Sequence, residues 1–227
     1  MKLLMFDVDG TLMRAHGAGS RAMTRAGRAV CGEAFSLEGV SISGGLDPVI
    51  FADAGRMMGL ADPMPFHDAF REAYLGELAI EMIAEAERKP QRLHGASELL
   101  AMLKPRSDLT LALVTGNYER AIPIKFAAVG LDASIFEFGA YGGDAPTRPG
   151  LVKHALETHA SRTGMAVALG SAMVIGDTPR DVDCAHKNGV RCVAVSTGVH
   201  SAEELHAAGA DVVLDGLHDA ERFLALL

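Results

Sequence analysis

The sequence predicts an α/β fold: a doubly wound, Rossmann-like parallel sheet with a helical cap inserted after its first strand. Three observations carry this. Short apolar runs, Lys2–Phe6, Leu109–Val114, Ala172–Ile175, Arg191–Val195 and Ala210–Leu214, read as strands buried on both faces. Helix-like segments alternate with the later runs, as a parallel sheet requires. Polar, glycine-bearing turns follow the C-terminal ends of four of these runs, where open α/β sheets bind ligands.

The first run, KLLMF, stops at Asp7-Val8-Asp9-Gly10-Thr11. The alternation then breaks. From Arg14 to about Lys89 no strong strand run occurs, while Ser20–Val30, Val49–Met58 and Phe66–Glu87 carry helical patterns. Residues 14–90 are therefore expected to form a helical cap, hinged near Arg14–Gly19 and Glu87–Arg92. Residues 1–13 and 91–227 are expected to form the core. Within that core Ala96–Leu103 is bracketed by Gly95 and Pro105, and Tyr118–Val129 stops at Gly130. Leu151–Ala160 follows Pro149-Gly150, Pro179–Asn188 stops at Gly189, and Ala202–Ala208 stops at Gly209.

Composition narrows the function. Of 227 residues 49% are apolar and 22% charged, the balance of a chain with a packed core rather than a disordered one. A net charge of −8 argues against a nucleic-acid-binding surface. A protein this acidic must gather positive charge locally to bind an anion. The three cysteines, Cys31, Cys184 and Cys192, fit no metal spacing and read as buried thiols in a reducing compartment. The N-terminal apolar run is broken by Asp7, too soon for a signal peptide, and no stretch reaches membrane-span length. A cytoplasmic protein with neither nucleic-acid nor membrane partners is expected.

The chemistry concentrates in three turns. Two acids two residues apart past a buried strand are costly without a cation between them. Mg²⁺ suits this place, because it takes oxygen ligands and shares phosphate oxygens. A carboxylate so paired, held in line with phosphorus, is a competent nucleophile, and a second acid can protonate the leaving oxygen and then activate water. Gly10 lets the backbone turn its amides, with Thr11, toward an anion. Thr115-Gly116-Asn117 taken alone reads first as an N-cap for the next helix, and it also offers a hydroxyl and amides to phosphate oxygens. In Gly176-Asp177-Thr178-Pro179-Arg180-Asp181, Asp177 fits a metal ligand and Asp181 its support, while Thr178 or Asp177 with Pro179 also fits a helix start.

Taken together, Asp7–Thr11, Thr115–Asn117 and Gly176–Asp181 resemble the motif set of the haloacid dehalogenase-like hydrolase superfamily, most nearly its phosphoglycolate-phosphatase-like group. The resemblance spans nearly the whole chain, and the predicted insert is similar to the cap of such proteins. It implies a Mg²⁺-dependent phosphatase acting on a small phosphorylated metabolite such as phosphoglycolate or a sugar phosphate. Asp7 would be the nucleophile that becomes an aspartyl-phosphate. Asp9 would be the acid/base, with its carbonyl on the metal. Asp177 would bind metal, Asp181 would support its water shell, and Thr115 and the Gly116 amide would hold the phosphoryl group.

The chain departs from that pattern at one cation. The family places a Lys, often Lys-Pro, in the loop before the helix that precedes the last motif. Here the loop reads Asp144-Ala-Pro-Thr-Arg148-Pro149-Gly150. Arg148 is the preferred replacement because its planar fork stays protonated. Lys153, inside the next helix, is the other candidate phosphate ligand. Ser43-Gly44-Gly45-Leu46-Asp47 resembles the substrate-facing loop of related caps, with Leu where a Thr is usual, and Asp47-Pro48 also reads as a helix cap. Arg14, His16 and Arg21 are hinge residues within reach of an anion. His67, His94 and His154 belong to no ligand pattern, and the eleven Met read as packing residues. A metal-free 2-haloacid dehalogenase, a phosphomutase and a non-catalytic regulator on the same fold are the alternative functions. The second acid, Asp9, weighs against the dehalogenase.

Overall fold

The computed structural model describes residues 1–84 and 89–227. Its principal sheet uses β1 (Lys2–Phe6), β4 (Leu109–Val114), β5 (Phe138–Ala140), β6 (Ala172–Gly176), β7 (Arg191–Val195) and β8 (Val212–Leu214) in the order β5-β4-β1-β6-β7-β8. Every pairing in it is parallel. Strand β1 lies at the centre, and the chain builds first to one side of it and then to the other. Its C-terminal end is therefore the place where strand order reverses and a crevice opens.

Side-chain alternation divides the core in two. Leu4 and Phe6 of β1 face one layer with Leu111, Leu113, Ile175 and Val193. Helices α4 (Ala96–Leu103), α5 (Ala121–Val129) and α9 (Ala220–Leu224) cover that layer. Leu3 and Met5 face the other with Ala112, Val174 and Cys192, beneath α6 (Arg148–Thr163), α7 (Pro179–Lys187) and α8 (Ala202–Ala207). Continuing the alternation aims residue 7 at the α6–α7 side.

Between β1 and α4 the chain leaves and re-enters through a two-stranded antiparallel ribbon, β2 (Met13–Arg14) with β3 (Gln91–Arg92). The helices between are α1 (Ala18–Cys31), α2 (Asp47–Met57) and α3 (His67–Ile83). They share a small aromatic core in which Phe51 and Phe70 stack at 4.2 Å. The buried Glu81 of α3 receives Arg21 at 2.7 Å and Arg25 at 2.9 Å from α1. Part of the hinge expected at Glu87–Arg92, and the end of the helix expected over Phe66–Glu87, lie outside the described residues.

The structure revises several sequence boundaries. Strand β5 and both ribbon strands were not visible as apolar runs, being three and two residues long. The strand expected from Ala210 begins at Val212, and the helix expected from Tyr118 begins at Ala121 after a turn. Helix α6 starts three residues earlier than expected, at Arg148, because Thr147 caps it by accepting from the Gly150 amide at 3.3 Å.

Candidate active site

Asp7 follows β1 directly and its amide donates to the Ile175 carbonyl at 2.8 Å, so the sheet ladder fixes its backbone. It is buried, as are Asp177 and Asp181 beyond β6. One carboxylate oxygen from each lies within 4.8 Å of the others. Burial pushes the carboxyls of Asp7 and Asp177 well above the usual range; the charges of Asp181 and Asp9 raise Asp7 further, and those of Asp7 and Asp181 raise Asp177. Arg148 opposes this at both.

Arg148 is itself buried, with Nη2 3.2 Å from Asp7 Oδ1 and 2.6 Å from Asp181 Oδ1. Its Nε adds a 3.1 Å bond to the same Asp181 oxygen. The other Asp181 oxygen accepts the Thr178 amide at 3.0 Å and hydroxyl at 2.7 Å. Thr178 and Asp181 thus form the capping box of α7, so the helix-start reading of this turn holds alongside the chemical one. With both oxygens engaged, Asp181 is placed to hold Arg148 rather than to offer a free lone pair to a metal.

Asp177 sits in a glycine cradle. A Cβ on Gly10, whose φ is +84°, or on Gly198 would overlap its carboxylate. Thr11 donates to Asp177 Oδ1 at 3.2 Å. These contacts leave Asp7 and Asp177 facing one another, and among the described residues Arg148 is the cation beside them. Buried hard oxygen donors of like charge, around a space lined by glycine, fit a divalent ion such as Mg²⁺.

The turn after β4 is also buried. Thr115 Oγ1 accepts from Asn117 Nδ2 at 2.7 Å, and Asn117 Nδ2 also reaches Asp9 Oδ2 at 2.8 Å. Neither residue caps α5, whose N-cap is Arg120, because Tyr118–Arg120 form an intervening turn. The Gly116 carbonyl accepts the Asp47 amide at 2.7 Å, and a Cβ on Gly116 would overlap the Gly45 carbonyl. Asp47 lies inside α2 rather than capping it, and its carboxylate accepts the Tyr118 amide at 2.9 Å. Burial pushes the Asp47 carboxyl up to about 7, against Lys125 and the Tyr118 amide.

The loop Ser43–Asp47 thereby closes over the strand ends, with the Gly44 carbonyl also taking Arg148 Nη1 at 3.2 Å. A cavity of about 570 Å³ remains beneath it. Its lining combines the polar Asp7, Asp9, Thr115, Arg148 and Asp177 with Met23, Ile42, Ile50 and Tyr74.

The other expected site residues are placed differently. Lys153 lies outside the cavity, on the solvent side of α6, 71% exposed and 3.9 Å from Glu157. It is five residues along the helix from Arg148, more than one turn, and so points away. Arg14 lines the cavity but donates to the Thr197 carbonyl. His16 also lines it, at a φ of 48°. Arg21 is taken by Glu81. The three cysteines are free thiols; Cys184 and Cys192 are buried. Among the described residues no helix is long and apolar enough to cross a membrane.

One residue was missed. Lys125 of α5 is buried, with Nζ 2.5 Å from both Asp9 Oδ2 and Asn117 Oδ1. The available signal was a lone cation in the otherwise apolar helix AIPIKFAAV.

Residues 147–220 match the Hydrolase_like family, described as HAD-hyrolase-like. Solved structures match over nearly the full length. CbbY from Rhodobacter sphaeroides in complex with phosphate aligns with a TM-score of 0.72 at 22% identity, covering 96% of each chain. A predicted phosphatase from Clostridium acetobutylicum aligns at 0.73 and 19%, covering 100% of this chain and 99% of its own. This chain has the haloacid dehalogenase-like hydrolase fold. A predicted phosphoglycolate phosphatase from Haemophilus somnus shares it at 0.70 and 18% identity, over 99% of this chain and 98% of its own. No curated protein matches the sequence.

Proposed function

We propose that the protein is a Mg²⁺-dependent phosphatase that hydrolyses a small phosphomonoester through an aspartyl-phosphate on Asp7. The observation that carries this is the buried set of Asp7, Asp177 and Arg148 at the central strand ends, lining one cavity. Among its structural relatives, CbbY in complex with phosphate and a predicted phosphatase support the same reaction class.

Asp7 and Asp177, with the Asp9 backbone carbonyl, would hold the metal. It would neutralise charge on the transferring phosphoryl group. Asp7 attacks phosphorus, and the bond to the leaving oxygen breaks as that oxygen takes a proton from Asp9. Asp9 then removes a proton from the water that attacks phosphorus, which frees phosphate and regenerates Asp7. Arg148, locked by Asp181, places positive charge beside the oxygens that carry negative charge in transfer. The Thr115 hydroxyl and the Gly116 amide would donate to the phosphoryl group. Residues 14–90 would act as the cap that excludes water once substrate is bound.

The test is phosphate release from a panel of small phosphomonoesters with Mg²⁺ and with EDTA, alongside Asp7→Asn. Metal-dependent release that the variant lacks, with its fold intact by circular dichroism, is expected. Silence across the panel together with metal-free release of halide from 2-haloacids would overturn this reading. Full turnover by Asp7→Asn would overturn the mechanism.

A further inference from the structure

We infer that Lys125 is a positioning residue for the reaction, fixing the Asp9 carboxylate in the orientation from which it exchanges protons; this rests on the phosphatase reading above. A lysine 3% exposed must be paired to be tolerated. Lys125 could have neutralised any nearby acid. Instead it joins two groups at once, donating to Asp9 Oδ2 and to Asn117 Oδ1, both at 2.5 Å. Asn117 closes the triangle, with Nδ2 2.8 Å from the same Asp9 oxygen.

The geometry has two consequences. Both bonds fall on Oδ2, so the carboxylate is fixed about its side-chain torsions and Oδ1 is left to the cavity that Asp9 lines. Lys125 also sets the amide of Asn117, since its Nζ can pair only with the Asn117 oxygen and so turns Nδ2 toward Asp9 and Thr115. One cation from α5 therefore orders Asp9 beyond β1 and Asn117 beyond β4. Arg148 has a separate task, because it contacts Asp7 and Asp181 rather than Asp9. The site thus has two buried cations, one for the attacking carboxylate and one for the proton-transferring one.

A positioning role predicts dependence on the leaving group. An alkyl alcohol departs poorly without a proton, whereas p-nitrophenolate needs little help. The experiment compares kcat/KM, which reports phosphoryl transfer to Asp7, for an alkyl phosphate from the active panel and for p-nitrophenyl phosphate. Lys125→Met is expected to lose about a hundredfold or more on the alkyl phosphate and at least tenfold less on the aryl one, in the range general acid catalysis spans. Lys125→Arg is expected to recover part of the alkyl activity. In an Asp9→Asn background, Lys125→Met is expected to cost little more, because both changes remove one function.

Equal losses on the two substrates, additive losses in the double variant, or wild-type activity in Lys125→Met would overturn the inference. If Lys125→Met does not fold, Lys125→Gln carries the same comparison, since it keeps a donor and much of the volume. A wild-type protein silent on both phosphates would instead overturn the phosphatase reading, and this inference with it.

Discussion

Arg148 is confined from two sides, and this makes its contribution separable from that of any surface cation. Asp181 holds its Nε and Nη2 while Asp7 meets Nη2 at the other edge, so the guanidinium plane is set before substrate arrives. Such preorganisation removes a reorientation cost from phosphoryl transfer. Arg148→Ala is expected to lower kcat/KM by about a hundredfold or more, as loss of one preorganised donor does. Lys153→Ala, on the exposed side of the same helix, is expected to stay close to wild type. Steady-state kinetics of the two variants checks this, and the reverse ranking would reassign the cation. The sequence pointed to Arg148 through the family resemblance, which implies a cation, often followed by Pro, in the loop before the helix that precedes the last acidic turn. It did not reveal that Asp181 is the partner that holds Arg148 there, since that contact depends on how α6 and α7 lie side by side.

Loop and helix elements explain which parts of the site escaped the sequence. The three turns were legible because each follows a strand buried on both faces, and a polar group there has no apolar alternative. Lys125 was not, because its partners lie 116 and 8 residues away and are met only through the rotation of α5 on the sheet. Strand β5 was hidden by its length and its central Gly139. The loop before α2 is instructive in the same way. Asp47-Pro48 has the local signature of a helix cap, yet the carboxylate bonds across to Tyr118 and fastens the inserted helices to the core. Its folded carboxyl, pushed up to about 7, lies above the ordinary value of 3.8. The protonated form is thus favoured in the closed structure. Its contribution is fully present below about pH 4 and is lost as pH rises through about 7. Asp47→Asn keeps an acceptor for the Tyr118 amide and removes the titration. Thermal unfolding of this variant with Mg²⁺ present is expected to fall less steeply than wild type between pH 5 and pH 8. An unchanged slope would show that Asp47 does not govern docking of α2.

On the scale of the whole molecule, a chain of net charge −8 concentrates three buried carboxylates where its central strands end. The helices cover both faces of the sheet and the loop Ser43–Asp47 covers the strand ends, so burial leaves that charge poorly screened by water. Arg148 compensates part of it and a divalent cation would compensate the rest. The folded pKa values of Asp7 and Asp177 are both raised, by burial first and by neighbouring carboxylates next. For groups raised in this direction, stability is fully present below the unfolded carboxyl value and is lost as pH rises through the folded one. The metal-free protein should therefore weaken toward alkaline pH. A cation that binds the ionised pair must displace the protons held there, so its affinity should grow over the same interval. Mg²⁺ is expected to raise the unfolding temperature more at pH 8.5 than at pH 6. Calorimetric titration near neutral pH, in two buffers of different ionisation enthalpy, is expected to register proton release on binding. An equal Mg²⁺ shift at both pH values, without proton release, would mean that the ion does not sit between Asp7 and Asp177.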